Sequence, residues 1–295
     1  MMENKIVIAQ ALNGMVRIRA IVATELVEKA RLQHQLLATS AAALGRTLIV
    51  TALMASDLKD NKARITTIFN GKGQAGTVLA QADGAGHVRG FIANPSLYLV
   101  RDDGHLDVAK AIGCDGELKV IKDLGLKEPF IGRVKIQTGE VGDDFAYYFA
   151  MSEQIPSIVG VGVLVKQSGN IGAAGGIILQ TLPGAKEEVI NKLEEIAKEM
   201  KPVTEMISSG LNAEEMIKAY LPDAQILALK KVELKCSCSK EYYLKALTAL
   251  SKKDLDEMIE KDHGAEVTCQ FCNQKYQFNE DDLKEVLSEK KMANS

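Results

Sequence analysis

Four of the chain's five cysteines fall in its last quarter, as Cys236-Ser-Cys238 and, after thirty intervening residues, Cys269-Gln-Phe-Cys272. Two close pairs of thiols supply the number and softness of ligands that a tetrahedral Zn²⁺ takes. The spacing therefore predicts a small C-terminal domain folded around one zinc ion held by Cys236, Cys238, Cys269 and Cys272. A segment of about 60 residues buries little apolar surface by itself. A structural zinc contributes on the order of 10 to 16 kcal/mol in apparent terms, so metal loss is expected to unfold this segment.

The same pairs admit a second reading. Metal-bound cysteines are already thiolates, so an oxidant that reaches one makes a sulfenic acid, and each has a neighbour able to resolve it into a disulfide. Disulfides formed within the pairs would close loops of only a few residues, whereas zinc joins segments thirty residues apart. Oxidation would then delete the long-range tie without replacing it. Spacing alone leaves both the plain staple and the oxidation switch open.

Ahead of this segment the patterning predicts an α+β fold. Residues 5 to 22 alternate apolar and polar residues around Asn13-Gly14, a dipeptide that favours a type I′ hairpin turn. Helices are expected from Thr24 to about His34 and from about Ser40 to Leu58, the second apolar nearly all round, with Thr39 or Ser40 as its N-cap. Between 63 and 138, short runs rich in β-branched and aromatic residues alternate with turn sequences such as "NGKG" and "DGAG", which reads as several sheet strands. A helix across "GDDFAYYFAMSEQ" and a hairpin around "QSGN" complete an N-terminal α+β core domain at 1–180.

Residues 181–231 read as a helical linker. Val189, Leu193, Ile196 and Met200 form one apolar stripe, Pro202 breaks that helix, and shorter helices follow near 203 to 209 and 212 to 220, the last capped by Asn212. Residues 232–295 form the zinc-binding domain, with a strand into "CSC", helices within 239 to 262, a hairpin around "VTCQFCNQKYQF" and a final helix from Asn279.

Charge excludes some partners. The net charge is −3, all eight arginines lie at or before Arg133, and residues 236 to 295 carry nine lysines against twelve acidic residues. Such a segment is a poor match to phosphate, so no nucleic-acid partner is expected. The apolar run at the N-terminus is broken at Gln10 and Asn13-Gly14, unlike a signal peptide, and "LIVTALMA" is far short of the roughly 20 residues of a membrane span. A cytoplasmic protein with reduced thiols and no membrane partner is expected.

Two other stretches carry residues of catalytic or cofactor-binding type. Gly71, Gly73 and Gly76 fit G-x-G-x-x-G, but "TVLAQAD" reads as a strand where a dinucleotide fold needs a helix, so a hairpin turn is expected rather than an enzyme's cofactor loop. Cys114, with His105 and Asp107 near it in sequence, could form a nucleophile and base, against the simpler reading of a turn or core cysteine. His263 lies between the cysteine pairs, but four thiolates already fill a tetrahedral site. No nucleophile elbow, zincin or Walker A motif is present, so nothing in the chain proposes an enzyme.

"CSCSKE" followed by "CQFCNQKYQF" resembles the C-terminal zinc segment of the bacterial redox-regulated heat shock protein of 33 kilodaltons, a family of ATP-independent holdase chaperones. "SAAALGRT", "KDLG", "GDDFAYY", "SEQIPS" and "AAGG" look like further landmarks of that family in order along the chain. The resemblance implies a reduced, zinc-bound, inactive monomer. Peroxide or hypochlorous acid, aided by heat, would pair Cys236 with Cys238 and Cys269 with Cys272, release zinc, and unfold the zinc domain and linker. The result would be a homodimer that holds unfolding client proteins and hands them to an ATP-dependent chaperone system. The exposed stripe of Val189, Leu193, Ile196 and Met200 is then a candidate client-binding surface. One departure stands out: the family often has a basic residue where this chain has Tyr242, although Lys235, Lys240 and Lys275 are close in sequence to the thiols.

Overall fold

The alternating run near the N-terminus forms a hairpin of β1 (Lys5–Ala11) and β2 (Val16–Val22), in register from Ile6 opposite Ile21 to Ala11 opposite Val16. Its loop spans residues 12–15, not the two-residue turn expected of Asn13-Gly14. Leu12, Asn13 and Gly14 all take positive φ, and the Met15 N–H closes on the Leu12 carbonyl at 3.1 Å. Leu12 tolerates this because its backbone N–H is held by the Asp223 carboxylate at 2.7 Å. In all, the computed structural model describes residues 4–293. The chain divides into two units, Met1–Lys235 and Cys236–Ser295.

In the first unit, α1 (Thr24–His34) leads to α2 (Ala38–Ala55), whose side chains are all buried except those of Ala38 and Arg46. By length and composition α2 could cross a membrane, but 89% of it is buried as the central helix of the first unit. Its polar residues are satisfied internally: Thr47 and Thr51 donate to carbonyls one turn back, at 2.8 and 2.7 Å. The expected N-cap does not form. Leu37 occupies that position, and Thr39 and Ser40, inside the first turn, hold the 94–99 loop instead: Thr39 bonds Leu99, and Ser40 bonds Asn94 and Leu97.

The middle of the chain supplies β3 (Arg64–Asn70), β4 (Val78–Asp83), β5 (His87–Ile92), the short α3 (Val108–Ile112), β6 (Glu117–Asp123) and β7 (Phe130–Lys135). Then come α4 (Val141–Tyr148), which runs on into a π turn at Phe149–Glu153, and the hairpin of β8 (Ser157–Val165) and β9 (Ile171–Thr181). The following segment folds as α5 (Glu187–Glu199), α6 (Val203–Ser208), α7 (Ala213–Lys218), β10 (Gln225–Lys231) and β11 (Glu233–Leu234). Asn212 caps α7 in a capping box with Glu215, as the sequence predicts.

The expected helical linker is therefore not helical throughout. β10 joins the first sheet antiparallel to β1, giving the order β10-β1-β2-β9-β8, while β11 pairs parallel to β5 in a second sheet of order β11-β5-β4-β3-β6-β7. One core cluster joins α1 and α2 to strands of both sheets; a second lies between the first sheet and α5, α6 and α7. Leu193 and Ile196 of the predicted stripe are buried in that second cluster, and Val189 and Met200 pack partly buried against it. The stripe is thus covered in this state.

The second unit contains α8 (Lys240–Leu247), α9 (Lys252–Glu260), the hairpin β12 (Gly264–Thr268) and β13 (Lys275–Asn279), and α10 (Glu280–Ala293). Ser239 caps α8 and Ser251 caps α9 in a capping box with Asp254. Asn279 accepts from the Asp282 N–H at the start of α10, and the acidic Glu280, Asp281 and Asp282 sit where the helix dipole favours them. Among the described residues its buried hydrophobic cluster is Leu247, Leu255, Phe278, Leu283 and Val286.

Candidate metal centre

The four clustered cysteines come from two kinds of backbone. Cys236 and Cys238 lie on an extended stretch ahead of α8, so the single serine between them lets alternate residues turn to one side. Cys269 and Cys272 lie in the tight loop joining β12 to β13, where the Cys272 and Asn273 N–H groups both donate to the Cys269 carbonyl, at 3.3 and 2.8 Å. Asn273 takes φ +57°, a left-handed conformation asparagine tolerates, and this lets the chain reverse. Two short local structures thus present two thiols each.

All four sulfurs lie within 4.8 Å of one another. Two approaches run between the pairs: Cys236 to Cys269 at 3.8 Å and Cys238 to Cys272 at 3.3 Å. Four sulfurs held about 2.3 Å from one tetrahedral ion would stand about 3.8 Å apart. The spacing fits one metal ion, and the expected ligands Cys236, Cys238, Cys269 and Cys272 are the ones brought together.

The surroundings distinguish the sulfurs. Burial pushes the Cys269 thiol up, but hydrogen bonds from the Tyr243 hydroxyl, the Phe271 N–H, Cys238 and Cys272 outweigh it and bring the group to about 7. Burial raises the Cys238 thiol against hydrogen bonds from Tyr276 and Cys272, and raises Cys272, where sharing with Cys238 and Cys269 adds to the effect. Of these three, Cys269 ionises most readily. Sequence reasoning missed the two tyrosines. Tyr276 on β13 donates to the Cys238 sulfur at 3.2 Å, and Tyr243 on α8, whose hydroxyl lowers the Cys269 pKa, sets its ring 5.2 Å from that of Tyr276 at a 44° tilt. The only available signal was two tyrosines within a few residues of the cysteine pairs.

The lysines near the thiols in sequence are engaged elsewhere. Lys240 pairs with Asp282 at 2.7 Å and Lys275 with Glu266 at 2.9 Å. Tyr242 is exposed and meets only the edge of Tyr243 among ring contacts. His263, just past α9, pairs with Glu280 at 2.9 Å and is not among the clustered ligands.

The rival sites dissolve. The backbone N–H groups of Gly73 and Ala75 donate to the carbonyls of Ile112 and Ala111 at the end of α3, at 2.9 and 2.8 Å, so they are not free to cradle a phosphate. β4 follows the glycines, where a dinucleotide site needs a helix, so the Gly71 to Gly76 turn is not built as a dinucleotide-binding loop. Cys114 is exposed in the turn after α3; His105 pairs with Asp103 at 3.1 Å, and Asp107 caps α3 through the Lys110 N–H at 2.9 Å. The Cys114, His105 and Asp107 set is thus not assembled as a nucleophile and base.

Comparison with known proteins agrees with this architecture. The family model described as "Hsp33 protein" matches residues 4–279. The chain is 44% identical over 292 residues to the 33 kDa chaperonin of Staphylococcus carnosus, covering 98% of this chain and 99% of that one. It is 43% identical over 288 residues to the 33 kDa chaperonin of Oceanobacillus iheyensis, covering 97% and 99%. The crystal structure of the 33 kDa chaperonin from Thermotoga maritima superposes with a TM-score of 0.91 at 34% identity, covering 99% of this chain and all of that one.

Proposed function

The chain belongs to the Hsp33 protein family, and on that premise we propose that it is a redox-regulated, ATP-independent holdase chaperone rather than an enzyme. The observation that carries the reading is the convergence of four sulfurs, from segments thirty residues apart, in a unit whose core cluster has five fully buried hydrophobics among the described residues. A zinc ion there supplies the cross-link such a small core lacks, and keeps its ligands as thiolates. Cys236, Cys238, Cys269 and Cys272 would hold it.

Oxidation proceeds on the sulfurs themselves. One thiolate attacks a peroxide oxygen, giving a sulfenic acid and hydroxide; its neighbour displaces the second hydroxide and closes the disulfide. Pairing Cys236 with Cys238 and Cys269 with Cys272 consumes two peroxides and removes all four ligands. Within each pair the partners are separated by one or two residues in the chain, so the disulfides can close locally once the metal no longer holds the sulfurs. Loosening of residues 181–231 then uncovers Val189, Leu193, Ile196 and Met200, now packed against the first sheet, as a surface for unfolded clients. The reduced protein is monomeric and the oxidised one dimeric, and it passes clients to an ATP-dependent system. A site that works as a thiol-to-disulfide switch suits a compartment that keeps thiols reduced, so a cytoplasmic location belongs to this reading.

The test is light scattering from a chemically denatured client diluted into reduced, zinc-loaded protein or into the peroxide-treated form. Suppression of aggregation only after oxidation is expected. Equal suppression by both forms would mark a constitutive zinc-stapled interaction module instead.

A further inference from the structure

The two tyrosines beside the sulfurs each serve the cysteine pair of the other segment. Tyr276 follows Cys269 and Cys272 in sequence but donates to Cys238 at 3.2 Å; Tyr243 follows Cys236 and Cys238 but packs its ring against Tyr276, on the side of Cys269. Their rings stack at 5.2 Å with 44° between planes, so each hydroxyl is held in place by the other residue's ring. Both rings are half-buried against the small core of the second unit. The result is a second cross-tie between the two cysteine segments, built from the Tyr276 O–H aimed at sulfur and the contact between the two rings.

A hydrogen bond donated to a thiolate draws electron density from the sulfur and must be broken or stretched as that sulfur attacks an oxidant. We propose that Tyr276 and Tyr243 are positioning residues that set the oxidation threshold of the site, restraining Cys238 and Cys269 until peroxide is abundant. The inference rests on the redox reading above. It also gives the site a device that does not depend on a basic residue at position 242, where this chain has the exposed Tyr242. The step affected is sulfur attack on peroxide, which transfers oxygen to sulfur and releases hydroxide.

The experiment compares zinc-loaded wild type with Tyr276→Phe and Tyr243→Phe, which keep the stacked rings and remove only the hydroxyls, and with Tyr242→Phe as a control. Three readouts are taken: zinc affinity by competition with a chromophoric chelator, zinc-release rate at fixed peroxide, and mass-spectrometric mapping of sulfenic acid trapped with a dicarbonyl probe. Expected are a zinc affinity lowered roughly 10-fold in each variant, as for loss of a group supporting a metal ligand, and a several-fold faster peroxide-driven release, about 3- to 10-fold. Sulfenic acid should be enriched at Cys238 in Tyr276→Phe and at Cys269 in Tyr243→Phe, with Tyr242→Phe unchanged. A purely structural role would lower affinity without moving the trapped site. Wild-type release with unchanged rates and trapping in both variants overturns this inference alone, whereas failure of wild type to release zinc to peroxide overturns the redox reading and this inference with it.

Discussion

The Cys238 and Cys272 sulfurs meet at 3.3 Å although 34 residues separate them in sequence. That approach, with Cys236 and Cys269 at 3.8 Å, ties the stretch before α8 to the β12–β13 loop. Among the described residues this unit's core cluster has five fully buried hydrophobics, few for a fold of five elements. On the proposed reading, a metal ion held by these sulfurs, more than the core, keeps these elements together.

Removing the metal should therefore unfold one unit only. Strong chelation of the reduced protein, or Cys272→Ser, is expected to abolish the structure of residues 236–295 while the first unit keeps a cooperative transition. Limited proteolysis with circular dichroism checks this, and a protease-resistant C-terminal segment after chelation would count against it.

The covered stripe makes a paired prediction. Leu193→Ser and Ile196→Ser each empty a buried apolar site, at a cost of about 2 to 5 kcal/mol by analogy with large-to-small core changes. Hydrogen exchange in residues 187–231 of the reduced protein should rise, and the oxidised variants should hold clients less well. Unchanged aggregation suppression would remove the stripe from the client surface.

The glycine loop is tested by filling it. A Cβ on Gly73 would lie 2.3 Å from the Ala111 carbonyl oxygen and 2.5 Å from the Ile112 carbonyl carbon, both backbone atoms that cannot yield cheaply. Gly73→Ala should lower stability by more than roughly 2 kcal/mol, read from the denaturant midpoint. NAD and ATP should leave the wild-type midpoint where it is.

Much of this was legible in sequence because it depends on local pattern. The ligand set followed from cysteine spacing, α2 from its apolar periodicity, and the Asn212 cap from residue type next to a helical run. What was hidden depends on partners distant in the chain. β10 reads as a connector because the strand it completes, β1, lies more than two hundred residues earlier, and its exposed Leu227 and Leu229 give no buried face to recognise. Thr39 and Ser40 look like caps until the 94–99 loop claims their hydroxyls. The Tyr243 and Tyr276 contacts are set by the folded hairpin and α8, and no spacing rule announces them.

Glu28 supplies a pH test. Its carboxylate takes two hydrogen bonds from Arg31, at 2.9 and 2.6 Å, and one from the Ile171 N–H at 2.9 Å, joining α1 to β9. The Arg31 bonds foremost, with the Ile171 N–H, hold its pKa below the ordinary carboxylate range despite some burial. A folded-state pKa below the unfolded one means the contribution is present above the ordinary value and is lost as pH falls through the folded one. Glu28→Gln should cost about 1 kcal/mol at neutral pH, discounted for partial exposure, and nothing once the wild-type carboxyl is protonated. Urea midpoints across that range give the difference, and a gap that persists in acid would contradict it.

The most direct measurement of the central claim is one time course. Zinc-loaded protein is treated with peroxide under mild heat while zinc release, circular dichroism and aggregation of a denatured client are followed together. The account predicts that zinc leaves, helical signal from residues 181–295 falls, and client aggregation is suppressed in step. Zinc release and loss of structure with clients still aggregating would contradict it.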